Sequence, residues 1–300
     1  MAAYFGTPPA EQWAPPVPNA SHLAGQREQE GHAMTRKLCT TLLVTIVFAA
    51  PLVAQTAMPG PPPVLWIQRE LVKPGKGSAH NDWEAGWPAA FTKANWPTNY
   101  LGMNALSGTN EAWFIIGYPS FAAMEKDMAS MDANASLTAE LKRLGAGESD
   151  YVETTSGILA QHIPSLSYKP EIDLAKQRYF EVLRYAMKPG HEGDFVKAAG
   201  IYRDAYTKAG LDNHWATYRV VSGLPGGTYL IIIPMRSLSQ YDRAPSEDDA
   251  FARAAGEAQM NALGKLVTEG VATVQSQVFV LNPKMSYVSK EMKAADPFWR

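Results

Sequence analysis

A chain of 300 residues with 46% hydrophobic and 10% aromatic side chains has enough apolar surface for one large or two ordinary globular cores, which excludes a mainly disordered protein. Its 27 basic and 29 acidic residues leave a net charge of −2, so no global field favours nucleic acid or an acidic membrane surface. The single cysteine, Cys39, lies in an apolar leader and excludes a disulfide framework, a thiol nucleophile or a thiolate metal site in the rest of the chain.

Residues 1–33 are rich in Pro and Ala and read as a non-native or disordered extension ahead of Met34. Met34-Thr35-Arg36-Lys37, the apolar run 38–54 and Gln55-Thr56-Ala57 match the charged, apolar and cleavage regions of a secretory signal, assigned to 34–57. The protein is therefore expected to be exported, periplasmic or extracellular, with no stable membrane insertion after cleavage. The alternative is an anchor through 38–54 with the domains outside. That run is at the lower limit for about 30 Å of hydrocarbon, and Thr40, Thr41, Thr45 and Pro51 weaken it. Residues 58–63, Met-Pro-Gly-Pro-Pro-Pro, form a stiff spacer.

Sliding the chain against itself by 115 residues aligns 64–121 with 179–236 without a gap, and 12 of the 58 pairs are identical. Arg69 and Lys73-Pro74-Gly75 fall on Arg184 and Lys188-Pro189-Gly190, Ser107-Gly108 on Ser222-Gly223, and Pro119 on Pro234. Farther on, Pro164 and Ser167-Tyr168 match Pro283 and Ser286-Tyr287 at an offset of 119. The repeat defines two units, 64–168 and 179–287, joined by a linker at 169–178 and completed by a C-terminal tail, 288–300.

Each unit predicts the same elements. A strand (65–72 and 180–187) ends at Pro-Gly, and a helix comes next. In the first copy Trp83, Trp87, Phe91 and Ala94 mark the buried stripe, kinked at Pro88; in the second, Phe195, Tyr202, Tyr206 and Ala209 mark it. A hairpin pairs 100–106 with 112–118 and 214–221 with 228–233, its loop opened by Ser-Gly and its last strand ended by Pro119 or Pro234. A second helical region covers 121–144, broken near Asn134, and 247–268; Phe121, Met124, Met128 and Met131 are expected as adaptable core. Last strands run near 152–163 and 271–281. The order βαββαβ is the ferredoxin-like unit.

The string from Phe180 to Gly190, FEVLRYAMKPG, resembles the opening strand of NIPSNAP-type domains of the dimeric α/β barrel superfamily, and the first copy is a more divergent version. The resemblance implies an α+β fold of two tandem ferredoxin-like units packed sheet to sheet as one pseudo-symmetric barrel. That superfamily includes cofactor-free monooxygenases and haem enzymes, but fold alone carries no activity. The proximal histidine that the haem-degrading relatives imply on the second helix is absent from 121–144 and 247–268, which argues against haem.

Strand alternation divides β-residues into two sets. Trp66, Gln68, Glu70 and Val72, with Glu181, Leu183, Tyr185 and Met187, are the more mixed in polarity and are assigned to the space between the sheets, as a pocket lining. Arg69 and Arg184 then turn towards the helices as ion-pair or capping residues. Pocket candidates are Trp66, Gln68, Glu70, Glu181, Tyr185 and Arg219, with His162 and His214 at strand ends. His80, near Asp82 and Glu84, is expected on an exposed helix face, so no metal and no cofactor are assigned. No nucleophile elbow, phosphate loop or dinucleotide fingerprint occurs.

Three functions are carried forward: a small-molecule-binding barrel for an apolar or aromatic ligand, a cofactor-independent monooxygenase-like enzyme, and an envelope interaction or homo-oligomerisation module.

Overall fold

The computed structural model describes residues 60–300. The extension, the signal and its anchor alternative, Cys39 and the start of the spacer lie outside the described residues. Among the described residues no helix is long and apolar enough to cross a membrane.

The first half contains β1 (Val64–Val72), α1 (Gly77–Glu84), α2 (Gly86–Lys93), β2 (Tyr100–Ala105), β3 (Glu111–Tyr118), α3 (Phe121–Ala133), α4 (Ala135–Gly145) and β4 (Val152–His162). The second contains β5 (Tyr179–Met187), α5 (Glu192–Ala209), β6 (Ala216–Ser222), β7 (Thr228–Met235), α6 (Gln240–Ala255), α7 (Glu257–Gly270) and β8 (Val271–Leu281), with α8 (Lys290–Ala295) after it. All eight strands close one antiparallel barrel in the order β1-β3-β2-β8-β5-β7-β6-β4. Closure removes every free sheet edge.

The two halves have matching strand order, β4-β1-β3-β2 and β8-β5-β7-β6, and meet at the seams β2–β8 and β4–β6. The gapless alignment fails at the hairpin. Arg69 pairs with Trp113 but Arg184 with Leu230, an offset of 117, because nine residues separate the last pair of the second hairpin, Arg219 and Tyr229, against seven between Asn104 and Ala112; Pro234 accordingly lies within β7, opposite Phe180.

The interior is a packed core, and the face assignment made from alternation is reversed. Leu65, Ile67, Phe180 and Val182 point into the barrel with Trp113, Tyr218, Leu230 and Phe279. Trp66, Gln68 and Glu70 face the helices. A closed barrel excludes water from its inside on every side, so it takes the more apolar set of each strand. Arg69 therefore sits at one barrel mouth, not under the helices. It does form the expected ion pair, donating to Glu111 at 2.6 and 3.2 Å, while Trp113 Nε1 donates to the same carboxylate at 2.6 Å. Arg184 donates to Gln275, and burial, with Arg69 adding to it, lowers its pKa.

The C-terminal tail closes the core at Trp299, 2% exposed, whose Nε1 donates to the carbonyl of Ala175 at 2.9 Å. Asp296 fixes this turn. Its carboxyl, held at about 2 by the backbone N–H of Phe298 and then by Arg178, accepts from Arg178 at 2.7 Å.

The helices lie outside the barrel. The break near Asn134 is found, with Asn134 Oδ1 capping α4 by accepting from Leu137 N at 3.1 Å. The first helix is interrupted at Ala85, just ahead of Pro88, which has no N–H to return to the preceding turn. The methionine stripe of α3 is not core: no residue of α3 is fully buried, and Phe121 and Met128 are 39% and 47% exposed. Of that stripe, Met131 packs against the buried cluster that holds Phe91 and Leu137.

Candidate functional site

Between the outer face of the first half's sheet and its helices lies a cavity of about 150 Å³. β1 supplies Trp66, Gln68 and Glu70, β3 supplies Phe114, Ile116 and Tyr118, and Trp87, Phe91, Trp96 and Tyr100 complete an aromatic wall with Met131 and Leu141. Three carboxylates reach it: Glu70, Glu84 and Asp127. Asp127 is satisfied, accepting from Thr98 Oγ1 at 2.6 Å and from the Tyr118 hydroxyl at 3.0 Å. Burial, and then Asp127, raise the Tyr118 pKa.

The other polar end is less satisfied. The Lys73-Pro-Gly turn carries β1 into α1, which lays His80 and Glu84, one helical turn apart, over Glu70. All three are buried, at 0%, 3% and 2% exposure. His80 Nε2 lies 2.9 Å from Glu70 Oε2, within hydrogen-bond reach. Gln68 Nε2 donates to the other Glu70 oxygen at 2.7 Å. Burial, reinforced by Glu70 and Glu148, raises the Glu84 carboxyl from 4.5 to about 9, so it is held neutral through the physiological range.

Unpaired polar atoms gather here. Of the seven buried side-chain polar atoms without a partner among the described residues, Glu84 Oε1, Trp87 Nε1, Trp96 Nε1 and the Tyr100 hydroxyl belong to the cavity wall, and His80 Nδ1 lies beside it. Buried groups are normally paired, so such a concentration marks a surface built to meet something polar.

The second half shows that the fold does not require this cluster. At the offset of 115, Tyr185, Phe195 and Ala199 stand where Glu70, His80 and Glu84 stand. There the space is filled by aromatic packing, Phe195 stacked on Tyr229 at 3.9 Å and tilted to Tyr185 at 5.7 Å. A buried ionisable cluster is no more stabilising than such packing, so its presence in one half alone points to use rather than support.

The structure thus brings Trp66, Gln68 and Glu70 together on one cavity and separates them from the other candidates. Tyr185 lies under α5, its pKa pushed up to about 12 by burial, and Glu181 accepts from Ser276 Oγ at 2.7 Å on the same outer face. Arg219 is exposed on β6, reaching Gln161 at 3.4 Å. His162 pairs with Ser167 Oγ at 3.0 Å, its pKa lowered by burial, and His214 Nδ1 pairs with the Lys169 carbonyl at 2.7 Å. The exposed helix face expected at His80 is not found. The signal for its burial is the stripe His80, Glu84, Trp87, Phe91, spaced four, three and four, which runs alongside the tryptophan stripe and is equally helical.

The fold and the site define a class: a closed antiparallel α/β barrel with its helices outside and a mixed aromatic and carboxylate cavity beneath them. No protein-family model matches the sequence, and no curated protein matches it. Among solved structures, a candidate monooxygenase from Fusobacterium nucleatum is similar at 10% identity and a TM-score of 0.50, over 74% of this chain and 93% of its own. An anthrone oxidase-like protein is similar at 11% identity and 0.49, over 76% and 94%. A variant of chlorite dismutase from Candidatus Nitrospira defluvii is similar at 7% and 0.44, over 80% and 97%. The likeness to the Fusobacterium protein is one of fold.

Proposed function

We propose that this protein is an exported small-molecule-binding α/β barrel that takes an oxygenated, single-ring aromatic compound in the cavity beneath α1 and α2. The observation that carries this is the set of unpaired polar atoms on an otherwise aromatic wall. Indole N–H groups of Trp87 and Trp96 can only donate, so they call for oxygen acceptors on the ligand; Glu84 Oε1 calls for a donor such as a ring hydroxyl. A cavity of about 150 Å³ with largely apolar walls is large enough for a benzene-sized ring. Export rests on the 34–57 segment. The barrel halves are read as tandem ferredoxin-like units of NIPSNAP-like type, supported by the repeated residues and the matching strand order.

A second reading is a cofactor-independent, monooxygenase-like enzyme acting on the same ring. It is favoured by two carboxyl groups converging on one cavity: Glu70 is placed to withdraw a proton from a ring substituent and Glu84 to donate one.

A thermal-shift panel of phenols, catechols and quinones, run with chelator present, tests the binding reading. A true ligand at 100 times its Kd adds about 2.7 kcal/mol, a rise of about 5–10 °C in the midpoint for a domain of this size. A panel in which no oxygenated ring shifts the midpoint while unsubstituted hydrocarbons do would contradict the assignment of the polar groups.

A further inference from the structure

We infer that Glu70, His80 and Glu84 bind one divalent first-row transition ion, of the zinc, iron(II) or manganese class, beside the cavity that the two glutamates line. Each of the three offers a donor atom, and these atoms all lie within 4.8 Å of one another. The 2.9 Å between His80 Nε2 and Glu70 Oε2, a hydrogen bond without the ion, is near the roughly 3.0–3.4 Å that separates neighbouring octahedral or tetrahedral ligands on a metal with bonds of about 2.1 Å, so an ion bound between them replaces that bond and takes the imidazole with its proton on Nδ1. His80 Nδ1 and Glu84 Oε1 are buried without partners, so the cluster is short of something to bind rather than internally satisfied.

Charge and ligand type select the ion. When the ion binds, Glu84 gives up its proton to solvent, and the two carboxylates then balance a divalent cation, which leaves a neutral assembly in an apolar shell. Imidazole combined with carboxylate suits zinc, iron or manganese, whereas calcium and magnesium prefer all-oxygen sets. Three protein ligands also leave coordination positions open, the arrangement of reactive rather than structural sites. Support comes from the scaffold: Glu70 is fixed on a barrel strand and oriented by Gln68 at 2.7 Å, while His80 and Glu84 share one face of α1. In the second half Tyr185, Phe195 and Ala199 occupy the same sequence positions and offer no such set.

This inference stands whether or not the cavity takes an aromatic ring, and the two are separable, since the ion is titrated with no ring compound present and the ring with chelator present. The full chain, without a histidine tag and stripped with chelator, is titrated with Zn²⁺ and Co²⁺ by calorimetry, with the visible absorption of Co²⁺ as a second readout. One ion per chain is expected, with Mg²⁺ and Ca²⁺ at least roughly 100-fold weaker. Glu84→Gln and Glu70→Gln keep the side-chain size and are expected to lower affinity roughly 100-fold or more while circular dichroism stays unchanged. Failure of the folded wild type to take one Zn²⁺ or Co²⁺, equal affinity for Mg²⁺, or unaltered affinity in Glu84→Gln would each overturn the site. Unaltered affinity in that variant would assign the ion to exposed groups such as His191 and Asp194.

Discussion

Glu84→Gln is expected to stabilise the chelator-treated protein by about 3 kcal/mol at pH 9 and to change it little at pH 5. The wild-type carboxyl titrates near 4.5 when unfolded and at about 9 when folded, raised by burial first and by Glu70 and Glu148 after it. A folded pKa above the unfolded one means the folded protein holds the proton more tightly. The associated stability is complete below about pH 4.5 and is lost as pH rises from there towards 9. Full linkage over that interval is roughly 6 kcal/mol, and local relaxation around the ionised group reduces what is measured. Glutamine does not ionise, so the variant lacks this loss. Urea unfolding midpoints at pH 5, 7 and 9 read the effect directly. Parallel pH profiles for wild type and variant would show that Glu84 is not buried under α1 as described.

Gly223→Ala is expected to cost about 3 kcal/mol or more, the largest effect of any single methyl addition at the barrel seams. Gly223 has φ +95, where a side chain is strained, and its β-carbon would overlap the backbone carbonyl oxygen of Gly157 on the adjoining strand. That contact lies where β6 meets β4, one of the two seams joining the halves, so relief requires prising the barrel open. Gly108, its counterpart at the β2–β8 seam, has φ +78 but would meet only the Gln277 side chain at 3.1 Å, so Gly108→Ala should cost about 1–2 kcal/mol. Gly226→Ala, with nothing within 4 Å, is the control and should stay within about 0.5 kcal/mol. Urea midpoints of the three variants rank the seams; equal midpoints would contradict this picture of how the halves join.

The repeated residues were legible as scaffold, and the seams show why. Ser107-Gly108 and Ser222-Gly223 recur because each pair ends a strand where one half hands over to the other; Ser107 Oγ accepts from Val278 N at 3.0 Å across the seam. Lys73-Pro-Gly and Lys188-Pro-Gly turn the chain from strand to helix with Gly75 and Gly190 at φ +75 and +84. Element order was readable for the same reason. Each strand and helix carries its own period; the hairpin register slipped by two residues, and the helix expected at 247–268 is instead α6 from Gln240 and α7 to Gly270, divided at Gly256, whose φ of +77 ends α6.

The site was half legible. Gln68 and Glu70 stood out because two polar residues on one face of a strand must meet something, and the second half has Leu183 and Tyr185 instead. Which face they occupied could not be read from alternation, because both faces of a barrel strand under helices are buried, one by the core and one by the helices. His80 and Glu84 escaped notice for a related reason. Their stripe joins at Trp87 and Phe91 the one that begins at Trp83, and hydrophobicity alone gives the buried face to the tryptophans. Only the helix break at Ala85 and the placement of Glu70 beneath it bury both residues, Glu84 in the cavity wall and His80 beside it.

The cavity, rather than the barrel interior, is the proposed seat of function, and filling it is the most direct test. Ile116, on β3, lines the cavity and is partly buried. Calorimetric titration of the best oxygenated aromatic ligand into wild type and Ile116→Phe, with chelator present, compares a cavity that is open with one occupied by an added ring. The prediction is measurable binding to wild type and a loss of roughly 100-fold or more in Ile116→Phe, whose unfolding midpoint is retained or raised. Equal affinity for the two proteins would place the ligand elsewhere and contradict the site.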